Sequence, residues 1–413
     1  MRKKIIVVGG GPAGIMAAIS AASHNQDVTL IEKNPILGKK LLLSGKGRCN
    51  LTNACEIDSF LKRFFENGQF LRDAFRQFFN TELMDFFQSR GLKLVTERQM
   101  RVFPLEGRSD AVLEVLKKEL QARAVQVMLR ASLKDIATDA AGINGIWLEN
   151  GRHLPAEKVV LATGGVSYAF TGSTGEGLRI AEKFGHTIVP LRPGLVPLCT
   201  EQQFCRFLEG LSLKNIRLTF GAGKHKTVSD TGELLFTSFG VSGPLVLTHS
   251  GRIADWSAGH QDTWLEIDMK PALSFEQLDA RFLREFKEFP RRSIKNMLKS
   301  MLPQRFIPVF LDVACVLADT RVSHIKQQER RKMVTLLKAF HLDIASTRPI
   351  EEAMVTRGGV SLKEINPRTM ESRLCKNLYF AGEIMDVDAD TGGFNLQAAF
   401  STGFLAGKSA ALN

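Results

Sequence analysis

The stretch Lys4-Ile-Ile-Val-Val-Gly-Gly-Gly-Pro-Ala-Gly14 decides the reading of this chain. Its run of β-branched residues predicts a buried strand, its glycines a tight turn, and Pro12 to His24 a helix with Ile15, Ile19 and Ala22 on one face. The spacing Gly9-x-Gly11-x-x-Gly14, with Pro12 and Ala13 between, allows backbone N–H groups at a helix start to approach a pyrophosphate. Asp27 to Glu32 predicts a second strand. Glu32 stands at its end, where a carboxylate suits ribose hydroxyls and disfavours a 2′-phosphate, and Lys33 follows it. The result is a βαβ unit shaped for a dinucleotide.

Outward from that unit, two more strand-and-turn segments repeat its logic. Val159-Val-Leu-Ala-Thr-Gly-Gly165 predicts a buried strand running into Thr163, Gly164 and Gly165. Leu378-Tyr-Phe-Ala-Gly-Glu383 predicts another, followed by the turn Gly392-Gly-Phe-Asn-Leu396 and a final helix. An isoalloxazine ring with its ribityl chain needs a second anchor that a nicotinamide dinucleotide does not, so the far end of the chain selects FAD. Glu383 or Asp386 is expected to accept from ribityl hydroxyls. Gly392, Gly393, Phe394, Asn395 and Leu396 are expected to aim a helix N-terminus at the flavin edge that gains negative charge on reduction. Val125 to Leu133 is expected to begin a strand at the adenine end, placing Leu133 there.

Between the first two segments lies a glycine-rich basic loop, Gly38 to Asn50. Gly382, Gly45 and their neighbours permit close backbone approach to a cofactor. Lys39 and Arg48 are expected to neutralise the pyrophosphate or hold a flavin anion. Cys49 and Asn50 complete the loop, and Gly172 to Gly177 either approaches the cofactor similarly or caps the helix Leu178 to Phe184.

Phe60 to Arg90 reads as helical, with its phenylalanines in a core, Asp110 to Ala122 as an amphipathic helix, and Ile143 to Leu154 as a hairpin turning at Asn150-Gly151. From about Pro190 the texture changes to short alternating runs, such as Leu211 to Phe220, with glycine turns. Ser274 to Phe340 then shows helical spacing. The expected architecture is α/β: a Rossmann FAD domain in two parts, 1–190 and 341–413, with an inserted small β-barrel or sheet domain at 191–272 and a small helical subdomain at 273–340.

Size and composition suit such a protein. With 413 residues, 44% hydrophobic and 24% charged, the chain is long enough for two or three cores of about 100–200 residues each. Its formal net charge of +12 favours polyanionic partners or anionic substrates, or serves solubility alone. The 6 cysteines form no C-x-x-C pair, which excludes a disulfide framework and a zinc ribbon and fits a reducing cytoplasm. No metal site is expected. No apolar run approaches the ~18 residues of a membrane span, and the glycine turn explains the basic, apolar N-terminus better than a secretory signal does.

The segments Gly45-Lys-Gly-Arg-Cys-Asn-Leu-Thr-Asn53, Ala162-Thr-Gly-Gly-Val-Ser-Tyr168, Leu235-Phe-Thr-Ser-Phe-Gly-Val-Ser-Gly-Pro244 and Gly393-Phe-Asn-Leu-Gln397 resemble the BaiN/YhiN-type flavoproteins, and the resemblance runs along essentially the whole chain. It implies a glutathione-reductase-like FAD domain with an inserted β-barrel and a helical subdomain. It also implies one of several activities: reduction of uridine to dihydrouridine in ribosomal RNA, reduction of unsaturated bile-acid ketones, or oxidation of small amines such as aminoacetone. In the reductive cases a hydride passes from flavin to an activated C=C and an acid protonates the neighbouring carbon. NAD(P)H is the expected transient reductant, entering the substrate cleft directly.

Cys49 is the first candidate for that acid, since Lys46 and Arg48 beside it are expected to lower its pKa, with a small buried packing role as the alternative. Tyr168 and His249 are lesser candidates, each with a structural alternative. Arg281, Arg284, Lys287, Arg291, Arg292, Lys295, Lys299, Arg305, Arg321, Lys326, Arg330, Arg331 and Lys332 form either a phosphate-contacting face for ribosomal RNA or a solvated helical surface. A small-molecule substrate would need only a closed apolar pocket. A non-catalytic flavin-binding protein is the third class.

Overall fold

A computed structural model describes residues 2–65, 67–139, 142–257 and 262–413. The chain packs as two compact units, Met1–Gly194 with Ile350–Asn413, and Leu195–Pro349.

The first unit is built on a five-stranded parallel sheet in the order Leu378–Phe380, Lys158–Leu161, Lys4–Val8, Asp27–Glu32, Gln126–Leu129. Val7 lies between Val160 and Leu30 in register, and all three are fully buried, as a strand covered on both faces requires. The first helix (Pro12–Ala22) and the last (Phe394–Leu412) pack backbone to backbone. A Cβ added at Gly403 would lie 2.2 Å from the Ala13 carbonyl oxygen, and one at Gly407 2.1 Å from that of Ala17. Only a residue without a side chain admits this approach. Ser20 Oγ donates to the Phe404 carbonyl (2.8 Å), which closes the same contact.

Residues 60–90 are not one helix. Short helices at Ile57–Leu61, Arg72–Gln77 and Asn80–Gln88 are separated at Gly68, where a Cβ would lie 2.1 Å from the Leu61 carbonyl oxygen, and at extended Phe78–Phe79. Their phenylalanines do form a core: the Phe60 ring meets Phe75, Phe79 and Phe394 at centroid distances of 5.2, 5.0 and 4.7 Å. The 125–133 segment is two elements, Gln126–Leu129 at the edge of the parallel sheet and Leu133–Asp139, which pairs antiparallel with Gly142–Leu148. The hairpin turn at Asn150-Gly151 joins that strand to His153–Pro155.

The second unit contains a closed antiparallel barrel. Its strands run Ser212–Ala222, Gly232–Thr237, Gly240–Ser242, Leu198–Thr200, Phe340–Thr347 and Thr263–Asp268, and the last pairs again with the first. Closure works because the long strand Ser212–Ala222 changes partner midway: Ser212 to Ile216 pair with Gly232–Thr237, Arg217 to Ala222 with Thr263–Asp268. The helices share the barrel's core and form no separate one among the described residues: Phe306 meets Phe340 of the barrel edge-on at 5.1 Å and Phe310 stacks on it at 6.5 Å. The helix Phe275–Glu288 opens on the capping box Ser274-x-x-Gln277, with both reciprocal hydrogen bonds formed.

Strand Phe340–Thr347 also shifts the edges of the insertion. Sequence reading places them at 190/191 and 340/341; the units divide at 194/195 and 349/350, because this strand is an integral stave of the barrel. Val355–Val360 pairs antiparallel with Ile188–Gly194 in a separate ribbon, and the parallel sheet resumes at Leu378.

His249 lies in the second unit on the helix Pro244–Ser257, its ring 5.2 Å from that of Phe220. Burial, then the Arg252 charge, hold its pKa down to about 4 against the opposing pull of Asp230. Unfolding frees it to titrate near 6.5 and so takes up a proton between those values. Stability from this group is therefore complete above about pH 6.5 and is lost as pH falls toward 4, a loss of up to about 3 kcal/mol. Urea unfolding from pH 4 to 7 should show that slope, and His249→Phe should flatten it; an unchanged slope in the variant would contradict the assignment.

Candidate functional site

Three glycine turns of the first unit meet at the carboxyl ends of the parallel strands, the usual crevice of such sheets. Each glycine of the first turn has its own task. Gly9 has φ +108° and a Cβ there would lie 2.4 Å from the Ala162 carbonyl oxygen; one at Gly14 would lie 1.9 Å from the Gly9 carbonyl oxygen. Those two glycines are required by the fold. Gly11 is different: its φ is −83° and a Cβ there would meet nothing within 4 Å. It faces open space at the start of the Pro12–Ala22 helix, which has no side-chain cap and no acidic residue in its first turn.

The last helix starts the same way. Gly393, with φ +98°, is its N-cap, again without a side-chain cap or an acid in the first turn. Two helix starts without side-chain caps among the described residues bring two positive dipole ends to one unit, which suits a ligand carrying an anionic group in one part and developing negative charge in another. Glu32 completes the cradle: Oε2 accepts from Gly10 N (2.7 Å), and Oε1 from Asn34 N and Nδ2 (both 2.7 Å). The donor set, the open Gly11 position and the acid at the strand end fit FAD.

The Gly45–Asn53 loop docks on the last helix. With its amide oriented by its neighbours, Asn50 accepts from Gly393 N (3.0 Å) and donates to the Thr52 and Val102 carbonyls. Asn53 Nδ2 donates to the Gly392 carbonyl (3.2 Å), and a Cβ at Gly393 would lie 2.3 Å from that of Thr52. The loop is wound through left-handed backbone at Gly45, Lys46, Gly47 and Cys49.

Several expected ligands are committed to other partners. Cys49 is wholly buried, and burial pushes its thiol up to about 12 against a weaker lowering by a hydrogen bond with Ser44. The expected lowering by Lys46 and Arg48 is thus corrected, because desolvation dominates. Arg48 pairs with Glu97 and lies over the Phe103 ring at 4.2 Å. Lys39 donates to the Phe170 carbonyl, and Lys33 to Thr174 and Glu176 (2.6 and 2.9 Å). Gly175 caps the helix Glu176–Lys183 in left-handed backbone, in keeping with a capping turn. Leu133 is a core residue paired with Leu148, while the neighbouring Ala131 N donates to the Glu32 carbonyl (2.9 Å).

At the C-terminal turn, Phe394 is buried against Phe60, and Asn395 binds both the N–H and the carbonyl of Ala389 (each 2.9 Å), so their side chains fix the turn. Leu396 packs partly buried against the core. Asp386 receives Asn67 Nδ2, and burial raises its pKa. Glu383 is not a free acceptor for ribityl hydroxyls: Oε1 takes Lys40 Nζ (2.9 Å), Ser167 Oγ (3.0 Å) and Thr356 N (2.7 Å), and Oε2 takes Lys40 Nζ (2.7 Å). Thr356 Oγ1 in turn accepts from Val166 N and Ser167 N and holds the Gly164–Gly165 turn, where a Cβ on Gly165 would lie 2.3 Å from it. Thr163 Oγ1 is buried without a hydrogen-bond partner among the described residues. Lys40, Ser167 and Thr356 were missed from sequence; Lys40 beside Lys39 carried no signal to separate the two.

Of the candidate acids, Tyr168 lies half-buried just after this turn, 5.7 Å from the Phe170 ring, its pKa raised by burial and then by Glu352. His249 belongs to the second unit and is uncharged near neutral pH. Among the described residues no His/Cys/Asp/Glu group could hold a metal, and no helix is long and apolar enough to cross a membrane.

The parallel sheet and its converging glycine turns define an FAD-dependent oxidoreductase of the Rossmann class. The family model for the HI0933-like protein Rossmann domain matches residues 3–409. The chain belongs to that family, as the resemblance in its motifs led us to expect. It is 32% identical over 410 residues to the 3-dehydro-bile acid delta(4,6)-reductase of Clostridium scindens, covering 99% of each chain. It is 30% identical to the ribosomal RNA dihydrouridine synthase of Escherichia coli, covering 96% of this chain and 95% of that one. Among solved structures, 3-ketosteroid-delta4-(5alpha)-dehydrogenase from Rhodococcus jostii shares the fold, with a TM-score of 0.55 at 17% identity over 100% of this chain and 97% of that one.

The two kinds of glycine should separate by mutation. Gly11→Ala should keep the apo protein's unfolding free energy within about 1 kcal/mol of wild type and lose FAD affinity at least tenfold, whereas Gly14→Ala should fail to fold; equal FAD retention in Gly11→Ala and wild type would contradict the cradle. Cys49→Ala should retain FAD and most turnover and lose stability.

Proposed function

We propose that this chain uses FAD, reduced by NAD(P)H, to reduce an activated C=C, and that its substrate is uridine in ribosomal RNA. One observation supports the RNA reading most. In the second unit an isolated bridge pairs Ser293 with Arg321, reinforced by hydrogen bonds from Ile294 N to the Thr320 carbonyl and from Val322 N to that of Arg292. It draws Arg291, Arg292, Lys295 and Arg321 together, all exposed. Arg292 lies on the Phe289 ring at 3.8 Å with a long 3.9 Å contact to Glu285. Such a cluster matches a phosphate backbone, and phosphate contacts would make binding steeply salt-dependent. By contrast Arg330 is paired bidentately with Asp279 and Arg305 with the carbonyls of Phe207 and Glu209, which removes them from that face.

Within the first unit, the N–H groups at the start of Pro12–Ala22 would hold the pyrophosphate and Glu32 the adenosine ribose, with Gly11 leaving them room. The start of Phe394–Leu412, fixed by Asn50 and Asn395, would place its dipole where negative charge grows. When bound, FAD supplies the hydride chemistry that side chains lack. Tyr168 is the proton donor in this reading: it keeps its proton at neutral pH and is partly exposed, while Cys49 is enclosed.

A second reading, reduction of a small unsaturated ketone, is favoured by the 32% identity to the bile-acid reductase and uses the same groups. Anaerobic incubation with NADPH and ribosomal RNA lacking dihydrouridine should yield dihydrouridine by mass spectrometry. Replacing Arg291, Lys295 and Arg321 by alanine should lower kcat/KM for RNA roughly tenfold or more and shrink the salt slope by about three, with flavin reduction by NADPH unchanged. No dihydrouridine, together with rapid reoxidation by a small enone, would decide for the second reading. Tyr168→Phe should cost on the order of a hundredfold in turnover at normal FAD content.

A further inference from the structure

We propose that Lys40 and Glu383 are a matched charge pair that sets the reduction potential of the flavin, a role that rests on the FAD reading above. The pair joins residues 343 apart in the chain, at 2.7 Å, with side chains only 24% and 22% exposed. The Gly9–Gly14 turn, the Gly164–Gly165 turn and the last helix are all tied to it. Lys40 is the second residue of the helix Lys39–Leu43, whose N-cap Gly38 donates to the Gly10 carbonyl (2.8 Å). Glu383 follows Gly382, where a Cβ would lie 2.7 Å from that of Ala13 and whose N–H donates to Thr402 Oγ1 of the last helix (3.0 Å). Ser167, which bonds both members of the pair, closes the Gly164–Gly165 turn.

Lys40 spends its donors on Glu383 and Ser167, so it acts as a fixed charge rather than by contact. An ion pair partly withdrawn from water is screened far less than one at the surface, and its two charges cancel only while both are present. Removing either unbalances the site by one unit of charge in a known direction. Reduced flavin carries more negative charge than oxidised flavin, so a surplus ammonium favours reduction and a surplus carboxylate opposes it. These are positioning residues: Glu383 and Ser167 fix the cation, and the cation biases the electron equilibrium.

The test is an anaerobic redox titration of the FAD-loaded protein, followed in the visible flavin absorbance. Glu383→Gln, which keeps an acceptor for Thr356 N, should raise the midpoint potential, and Lys40→Met should lower it. Each shift should be at least tenfold in the reduction equilibrium, about 30 mV for a two-electron couple. Lys40→Arg and the double variant Lys40→Met/Glu383→Gln should stay near wild type. FAD content and the apo melting temperature are followed in parallel, and Lys40→Gln replaces Lys40→Met if the latter does not fold. Shifts of the same sign in the two single variants, or shifts under threefold, would overturn the proposal. Wild-type protein that takes up no FAD would instead sink the functional reading on which it rests.

Discussion

The contact on which the first unit depends is the one between the backbones of its first and last helices. Gly403 and Gly407 meet the Ala13 and Ala17 carbonyls so closely that no side chain fits between them. This approach joins the two ends of the chain and places the last helix beside the parallel sheet begun by Lys4–Val8. A Cβ at either glycine would push the helices apart, and the carboxyl-end crevice would lose one of its walls. Helix packing of this kind gains from dispersion between close backbones and from the absence of buried rotamers to freeze.

That one constraint produces the electrostatics of the site. Each helix begins at a glycine with no side-chain cap, so two positive dipole ends lie in the same unit. A protein with no ligand to bind would ordinarily cap such ends with serine, threonine or an acid. Here the nearby polar side chains are engaged in holding backbone: Asn50 the Gly393 N–H, Asn395 the Ala389 peptide, Thr356 the N–H groups after Gly165. The cations are similarly assigned, Arg48 to Glu97 and Lys40 to Glu383. The scaffold is preorganised, and what it leaves unsatisfied defines what it binds.

Much of this was legible before any coordinates. Glycine spacing, β-branched runs and the terminal acid of a strand are local signals, and they point to the parallel sheet; alternating runs suggest a barrel or sheet insertion, and the motif resemblance selects the barrel. Pairings across the chain carry no such local signal. Lys39 and Lys40 are adjacent and chemically alike, and only Glu383, contributed from the opposite end, distinguishes them. Cys49 misled because its basic sequence neighbours are not its spatial ones: desolvation in the core, invisible in a one-dimensional reading, outweighs their charge. The end of the insertion was missed by about nine residues, since Phe340–Thr347 completes a barrel only when the distant partners Leu198–Thr200 and Thr263–Asp268 are known. Gly403-x-x-x-Gly407 was in plain view, yet glycines four apart in a helix announce close packing only once a partner helix is identified.

The central claim is that both ends of this chain grip one FAD. Calorimetric titration of the apo protein with FAD, and separately with NADH and with ADP, tests it most directly. The account predicts one FAD per chain, bound far more tightly than either ADP or NADH, because both of those can engage only the Gly11 and Glu32 end. Equal affinity for FAD and ADP, or preference for NADH, would show that the C-terminal turn takes no part and would contradict it.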